Sequence, residues 1–143
     1  MKFTKKSKIF TISIVLALTI SSLVGCSSKE KSNEKNKAAS GYENINAKET
    51  EDLLASGDDI VVVDVRSKDE YDMGHIDRAM HIDYNEFNDN LSKLDDYKDK
   101  TVLLYCKTGN RSEKAAKILE KNGFKKVYNA EDGVEEHDYK LVK

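Results

Sequence analysis

Apolar and polar positions alternate with two periods along this chain, and the period changes roughly every ten residues from Tyr42 onward. Tyr42-Glu43-Asn44-Ile45 alternates like a short strand. Asn46 then predicts a helix cap for Ala47 to about Ala55, with Glu49 as capping-box partner, Leu53 and Leu54 facing inward, and Gly57 closing the helix. Ile60-Val61-Val62-Val63-Asp64-Val65 is continuous and β-branched, the pattern of a strand covered on both faces. Ser67 caps a short helix from Lys68 to Asp72, closed by Gly74, and Ala79 to Ile82 predicts another short strand. Tyr84 to Leu94 reads as one helix with Phe87, Leu91 and Leu94 on one side. Thr101 to Tyr105 is an apolar strand, and a helix follows from Ser112 to Asn122 with Ala115, Ala116, Ile118 and Leu119 on one face. Gly123 and Phe124 predict a Schellman ending, Lys126 to Asn129 a last strand, and the tail to Lys143 one more helical turn. Strands separated by helical segments predict an α/β fold, a central mostly parallel sheet flanked by helices on both faces.

The first forty residues follow a different pattern. Lys2, Lys5, Lys6 and Lys8 precede an apolar run, Ile9 to Ile20, and then Leu23-Val24-Gly25-Cys26. A basic start, a short apolar core and a small residue before a cleavage point read as a signal peptide over residues 1–25, too short for a membrane span. The tetrapeptide resembles the bacterial lipobox, which implies lipid on Cys26 and placement on the outer face of the cell membrane. Residues 26–40 have no large apolar side chain and read as a flexible tether, with a reach on the order of 20 Å. Residues 41–143 are the expected folded domain, a monomer.

The full chain holds 24 Lys and Arg against 26 Asp and Glu. Losing residues 1–25 would remove four lysines and no acids, leaving 20 against 26. An acidic body predicts no nucleic-acid partner, and it gains nothing from an anionic lipid surface, so acyl chains would do the anchoring. Of the two cysteines, Cys26 is then committed to lipid, and Cys106 is left as a lone thiol outside the cytoplasm. That suggests a reactive thiol, with a buried inert cysteine as the bland reading.

Cys106-Lys107-Thr108-Gly109-Asn110-Arg111-Ser112 joins an apolar strand to a helix. A loop this short turns its N–H groups toward the sulfur and meets the positive end of the helix dipole. Gly109 suits a left-handed backbone position, and Asn110 tolerates one. Lys107 and Arg111 add charge that favours thiolate over thiol. Cys106 is therefore the candidate nucleophile, and Lys107, Thr108, Gly109, Asn110 and Arg111 are candidate substrate-binding residues. A solvated lysine and a structural ion pair are the plainer readings of Lys107 and Arg111. No histidine arrangement with Cys106 suggests a metal, and no cofactor is expected.

At these residues the chain resembles the rhodanese family of sulfurtransferases. The loop Cys106 to Ser112 looks like the family's active-site loop. Asp64-Val65-Arg66, Glu70-Tyr71 and Gly74-His75-Ile76, with Ala79 and Ile82, look like its upstream signature. The resemblance implies a cysteine that takes a sulfane sulfur from a thiosulfate- or polysulfide-type donor, carries it as a persulfide, and passes it to a thiol or cyanide acceptor. Four residues between Cys106 and Arg111 match sulfur transfer, where related phosphatases have five. Asp64 and Arg66 are read as supporting residues that could position the loop, or as part of a structural ion-pair network with Glu70. His75 is expected to be scaffold. The alternative to an enzyme is a catalytically silent rhodanese-fold module for binding or redox sensing. The chain departs from the family at Arg78, where Gly is usual, at Asp83, where Pro is usual, and in the acidic run after Asn129. That run is expected to disfavour anionic donors.

Overall fold

The computed structural model describes residues 41–143. The expected signal peptide, Cys26 and the expected tether lie outside the described residues.

The chain runs β1 (Tyr42–Ile45), α1 (Ala47–Ala55), β2 (Ile60–Asp64), α2 (Lys68–Met73), β3 (His75–Ile76) and β4 (Met80–His81). Two 3-10 segments follow, Tyr84–Glu86 and Leu91–Tyr97, then β5 (Thr101–Tyr105), α3 (Asn110–Lys121), β6 (Lys126–Ala130) and β7 (Leu141–Val142). Five strands form one sheet in the order β1-β6-β5-β2-β4, and every pairing in it is parallel. β3 and β7 form a separate antiparallel pair.

The sheet separates two cores. Along β5, Val102 and Leu104 face Ala115, Ala116 and Leu119 of α3, together with Phe87 and Leu94. Leu103 and Tyr105 face the other side, where Leu53 and Leu54 of α1, Tyr71 of α2 and Tyr139 pack. Helices thus cover both faces, as the unbroken apolar runs of β2 and β5 require.

The local signals act as chemistry dictates. Asn46 and Glu49 form a reciprocal capping box on α1, and Ser67 and Glu70 form one on α2. α3 ends with Phe124 donating to the Leu119 carbonyl and Gly123 to that of Glu120, a Schellman motif.

Three expectations are corrected. The single helix over Tyr84 to Leu94 is two short 3-10 segments instead. Asn and Asp residues crowd this stretch and bond locally: Asp83 accepts from the Asn85 amide, and the Asn90 side chain takes the Glu86 carbonyl. Phe87 and Leu94 are still fully buried. α3 begins at Asn110, not Ser112, because Gly109 adopts the left-handed turn that starts it. The tail holds no helix. Val134 and Glu135 donate their amides to the Cys106 and Lys107 carbonyls, and the chain then pairs as β7 with β3.

Candidate active site

Cys106 follows β5, the middle strand of the sheet, at the carboxyl edge where parallel sheets place their sites. Its side chain is fully buried, on the α3 face of the sheet. The next three residues reverse the chain, and Gly109 (φ +79°) opens α3 without a side-chain cap.

The missing cap explains the sulfur's environment. The first amides of a helix have no partner within the helix. Here the amides of Ser112 and Arg111, with that of Thr108 in the loop, face the sulfur instead. The Ser112 hydroxyl lies 3.5 Å from Cys106 Sγ and 3.0 Å from the Gly109 carbonyl oxygen. Burial alone would raise the thiol's pKa; the Ser112 hydroxyl and these amides outweigh it and hold Cys106 below the ordinary thiol range. The loop can therefore stabilise a thiolate and any further sulfur bonded to it. Ser112 was visible in the motif, yet only its place in the first helical turn assigns it this contact.

Arg111 is the rim cation. Its guanidinium forms a fork-to-fork pair with Glu70, Nη1 to Oε2 at 2.8 Å and Nη2 to Oε1 at 2.9 Å. The same carboxylate accepts the Ser67 amide and hydroxyl at the start of α2. Hydrogen bonds from Arg111 hold the Glu70 pKa down to about 2, against the cost of its partial burial. Glu70 thus belongs with Arg111, not with Asp64 and Arg66. Sequence spacing could not show this, because the partners stand 41 positions apart.

Asp64 and Arg66 form their own buried pair at the end of β2. Arg66 Nη2 donates to Asp64 Oδ2 at 2.6 Å and to the Gly74 carbonyl at 2.7 Å, and Arg66 Nε lies 2.9 Å from the same carboxylate oxygen. The guanidinium sits 5.5 Å from the ring centre of Tyr105, the residue before the cysteine. The Tyr105 hydroxyl accepts the Ile76 amide at 3.0 Å. Burial, then the Asp64 carboxylate, push that phenol far above its usual pKa, so it stays neutral.

Lys107 and Thr108 are exposed, and Asn110 donates to Thr108 Oγ1 at 3.1 Å. Lys107 Nζ lies 3.0 Å from Glu135 Oε1 in the acidic run. Asp132 of that run accepts the Ala47 amide and so caps α1. A Cβ on Gly109 would fall 2.1 Å from the Glu131 carbonyl oxygen, and one on Gly133 2.2 Å from that of Lys107. The acidic run is therefore seated directly on the cysteine loop. His75 stacks on Tyr71, and His81 bonds the Arg66 carbonyl, both as scaffold. His137 stands 2.9 Å from Glu51.

The rhodanese-like domain profile matches residues 46–138. The chain belongs to that family. A rhodanese-like domain protein of Staphylococcus aureus superimposes with a TM-score of 0.62 at 31% identity, over 70% of this chain and 96% of that one. A rhodanese of E. coli solved with anions gives 0.53 at 30% identity, over 59% and 98%. Among curated proteins, a tRNA uridine(34) hydroxylase of Cronobacter sakazakii is 39% identical over 83 residues, which is 55% of this chain. The match spans only about a quarter of that relative's length (24%).

Proposed function

We propose that this rhodanese-like domain is an exported, lipid-anchored sulfurtransferase that moves a sulfane sulfur through a persulfide on Cys106. The observation that carries the reading is the amide nest around a thiol of lowered pKa, closed by Arg111 after four intervening residues. The thiolate attacks the outer sulfur of a thiosulfate- or polysulfide-type donor, the donor's S–S bond breaks as sulfite or a shorter polysulfide leaves with the electron pair, and the persulfide then passes its outer sulfur to a thiol or cyanide as the Cys106 thiolate is restored. In this reading Thr108, Arg111 and Ser112 present donors to the sulfurs, Gly109 provides the turn, and Lys107 and Asn110 line the rim. Asp64 and Arg66 are positioning residues, because their network holds Tyr105 and reaches no reacting atom. The E. coli relative, solved with anions, is consistent with such a nest. The hydroxylase relatives are far longer proteins, and the acidic body of this chain offers little to an RNA backbone.

The N-terminal basic run, apolar core and Leu23-Val24-Gly25-Cys26 support cleavage before Cys26, lipid on that residue, and a tether of residues 26–40 ahead of a domain of residues 41–143. Labelled palmitate should enter the wild-type chain in a bacterial host and not the Cys26→Ser variant. Equal labelling of both would rule the anchor out.

The central experiment is mass spectrometry of the protein after incubation with thiosulfate or polysulfide. One added sulfur on Cys106, removed by cyanide or a thiol and absent from Cys106→Ala, is expected. A folded protein that acquires no such adduct from any donor would defeat the reading. Full burial of Cys106 favours a second reading, a silent rhodanese-fold module; full biological activity of Cys106→Ser would support it.

A further inference from the structure

Arg78, far from the cysteine loop in the fold, is strained without serving the fold. It holds φ at +60°, in the left-handed region, where every other residue with positive φ among the described residues is a glycine. Asp77 and Arg78 form the middle of a turn that the Ala79 amide closes on the Ile76 carbonyl, and glycine fits this position without strain. The guanidinium holds no element in place. Its side chain is 91% exposed, and its Nε lies 3.5 Å from Asp77 Oδ2 in a surface pair of little worth. Strain kept at such a residue points to a ligand rather than to the fold.

The same turn leaves part of the sheet open. β5 pairs with β2 from Ile60 to Asp64, whereas β4 pairs only with Val63 and Asp64. Continued by two residues, that register would set Arg78 opposite Val61, but the left-handed turn takes the chain out of the ladder. Backbone groups alternate in direction along a strand. The Val65 amide donates to Tyr105 on the β5 side, and the Asp64 carbonyl accepts from Ile82 on the β4 side. By that alternation Val62 and Ile60 also turn toward the β4 side. The Ile60 amide is occupied by the Asp58 carbonyl. The Val62 amide and the Ile60 carbonyl are left facing a stretch with no strand beside it. That stretch is a groove of about 310 Å³, lined by these residues, Arg78, Met80 and Tyr97. Lys100 and Asp59 border it as an ion pair, so Arg78 is the lining cation with no carboxylate of the groove bound to it.

We propose that this groove receives an extended, acidic segment of a partner protein as an added strand. The segment's main chain pairs with the Ile60 carbonyl and the Val62 amide, and a carboxylate next to the paired residue meets Arg78. Val61, Met80 and Tyr97 pack on one core, so the side chain set opposite Val61 falls on the face with Met80 and Tyr97 and is apolar. The groove lies at the amino end of β2, the opposite end of the sheet from Cys106, and the inference is independent of sulfur transfer.

The test titrates the full chain into a fluorescent heptapeptide of alternating valine and glutamate and follows anisotropy. A Kd below about 1 mM is expected. The same peptide N-methylated throughout cannot donate to the Ile60 carbonyl and should bind about tenfold more weakly. The counterpart with glutamine for glutamate should bind about fivefold more weakly. Arg78→Gly relieves the left-handed strain, so its urea midpoint should rise. In that variant the glutamate peptide should lose about fivefold in affinity, and the two peptides should bind alike. A gain in stability together with a loss of binding is what a merely structural arginine would not give. No binding of the glutamate peptide at millimolar concentration, equal binding of the N-methylated peptide, or unchanged binding by Arg78→Gly would overturn the proposal.

Discussion

Gly133 and Lys107 touch through their backbones: a Cβ on Gly133 would lie 2.2 Å from the Lys107 carbonyl oxygen, and Gly133 holds φ at +60°. The segment after β6 is thus a wall against which the cysteine loop is formed. The loop is shaped from below by β5 and from the side by residues 130–135.

Gly133→Ala should therefore loosen the site as well as the fold. The left-handed backbone and the carbonyl contact together should cost about 1–3 kcal/mol. Urea unfolding would measure the loss. Alkylation of Cys106 should change in the same variant, because its carbonyl accepts the Val134 amide. A variant of unchanged stability and reactivity would show that the wall is dispensable.

The thiol should react at lower pH than a free cysteine. Its pKa is lowered, so the thiolate is populated below the ordinary value of about 8.5 and disappears only as pH falls through the shifted one. Iodoacetamide rates across pH would report the midpoint. Ser112→Ala removes the hydroxyl but not the amides, and should move the midpoint upward without abolishing reactivity.

Asp64→Ala should be among the costliest single changes in the domain. Asp64 is fully buried and Arg66 nearly so (5% exposed), and the change leaves a buried guanidinium with no carboxylate partner, beside the Gly74 carbonyl and the Tyr105 ring. Loss of one partner of such a pair costs about 3–5 kcal/mol. Replacing both by apolar residues, Asp64→Leu with Arg66→Met, should cost less than Asp64→Ala alone. Denaturant midpoints of the three proteins decide this.

Glu70 should add to the stability at neutral pH and lose its share in acid. Its folded pKa is depressed to about 2 from 4.5, so the contribution is complete above about pH 4.5 and fades as pH falls toward 2. The pair is partly open to water, which limits the effect to about 1 kcal/mol. Glu70→Gln should flatten that part of the pH–stability curve; an unchanged acid limb would mean that the pair contributes nothing.

Much of the fold was legible because its signals are local. Periodicity marks β2, β5 and α3; Asn46–Glu49 and Ser67–Glu70 mark two helix starts; Gly123–Phe124 marks a helix end. Each depends on residues within about five positions. The stretch after Ile82 is not legible in this way, because apolar spacing there fits a helix, while its Asn and Asp side chains bond the backbone they sit on. Tertiary packing against the sheet then needs only Phe87 and Leu94 inside.

By itself, then, the sequence determined the alternating α/β order, the sheet with helices on both faces, and a loop whose composition suits an anion or a thiolate. The tertiary structure alone decided which charges meet. It joined Glu70 to Arg111, separated both from the Asp64–Arg66 pair, set Glu135 on Lys107, and laid the acidic run against Gly109. The reason is physical: turns and periodicity act between neighbours, whereas electrostatics at a site depends on distances through space, and those appear only when the strands have been laid side by side.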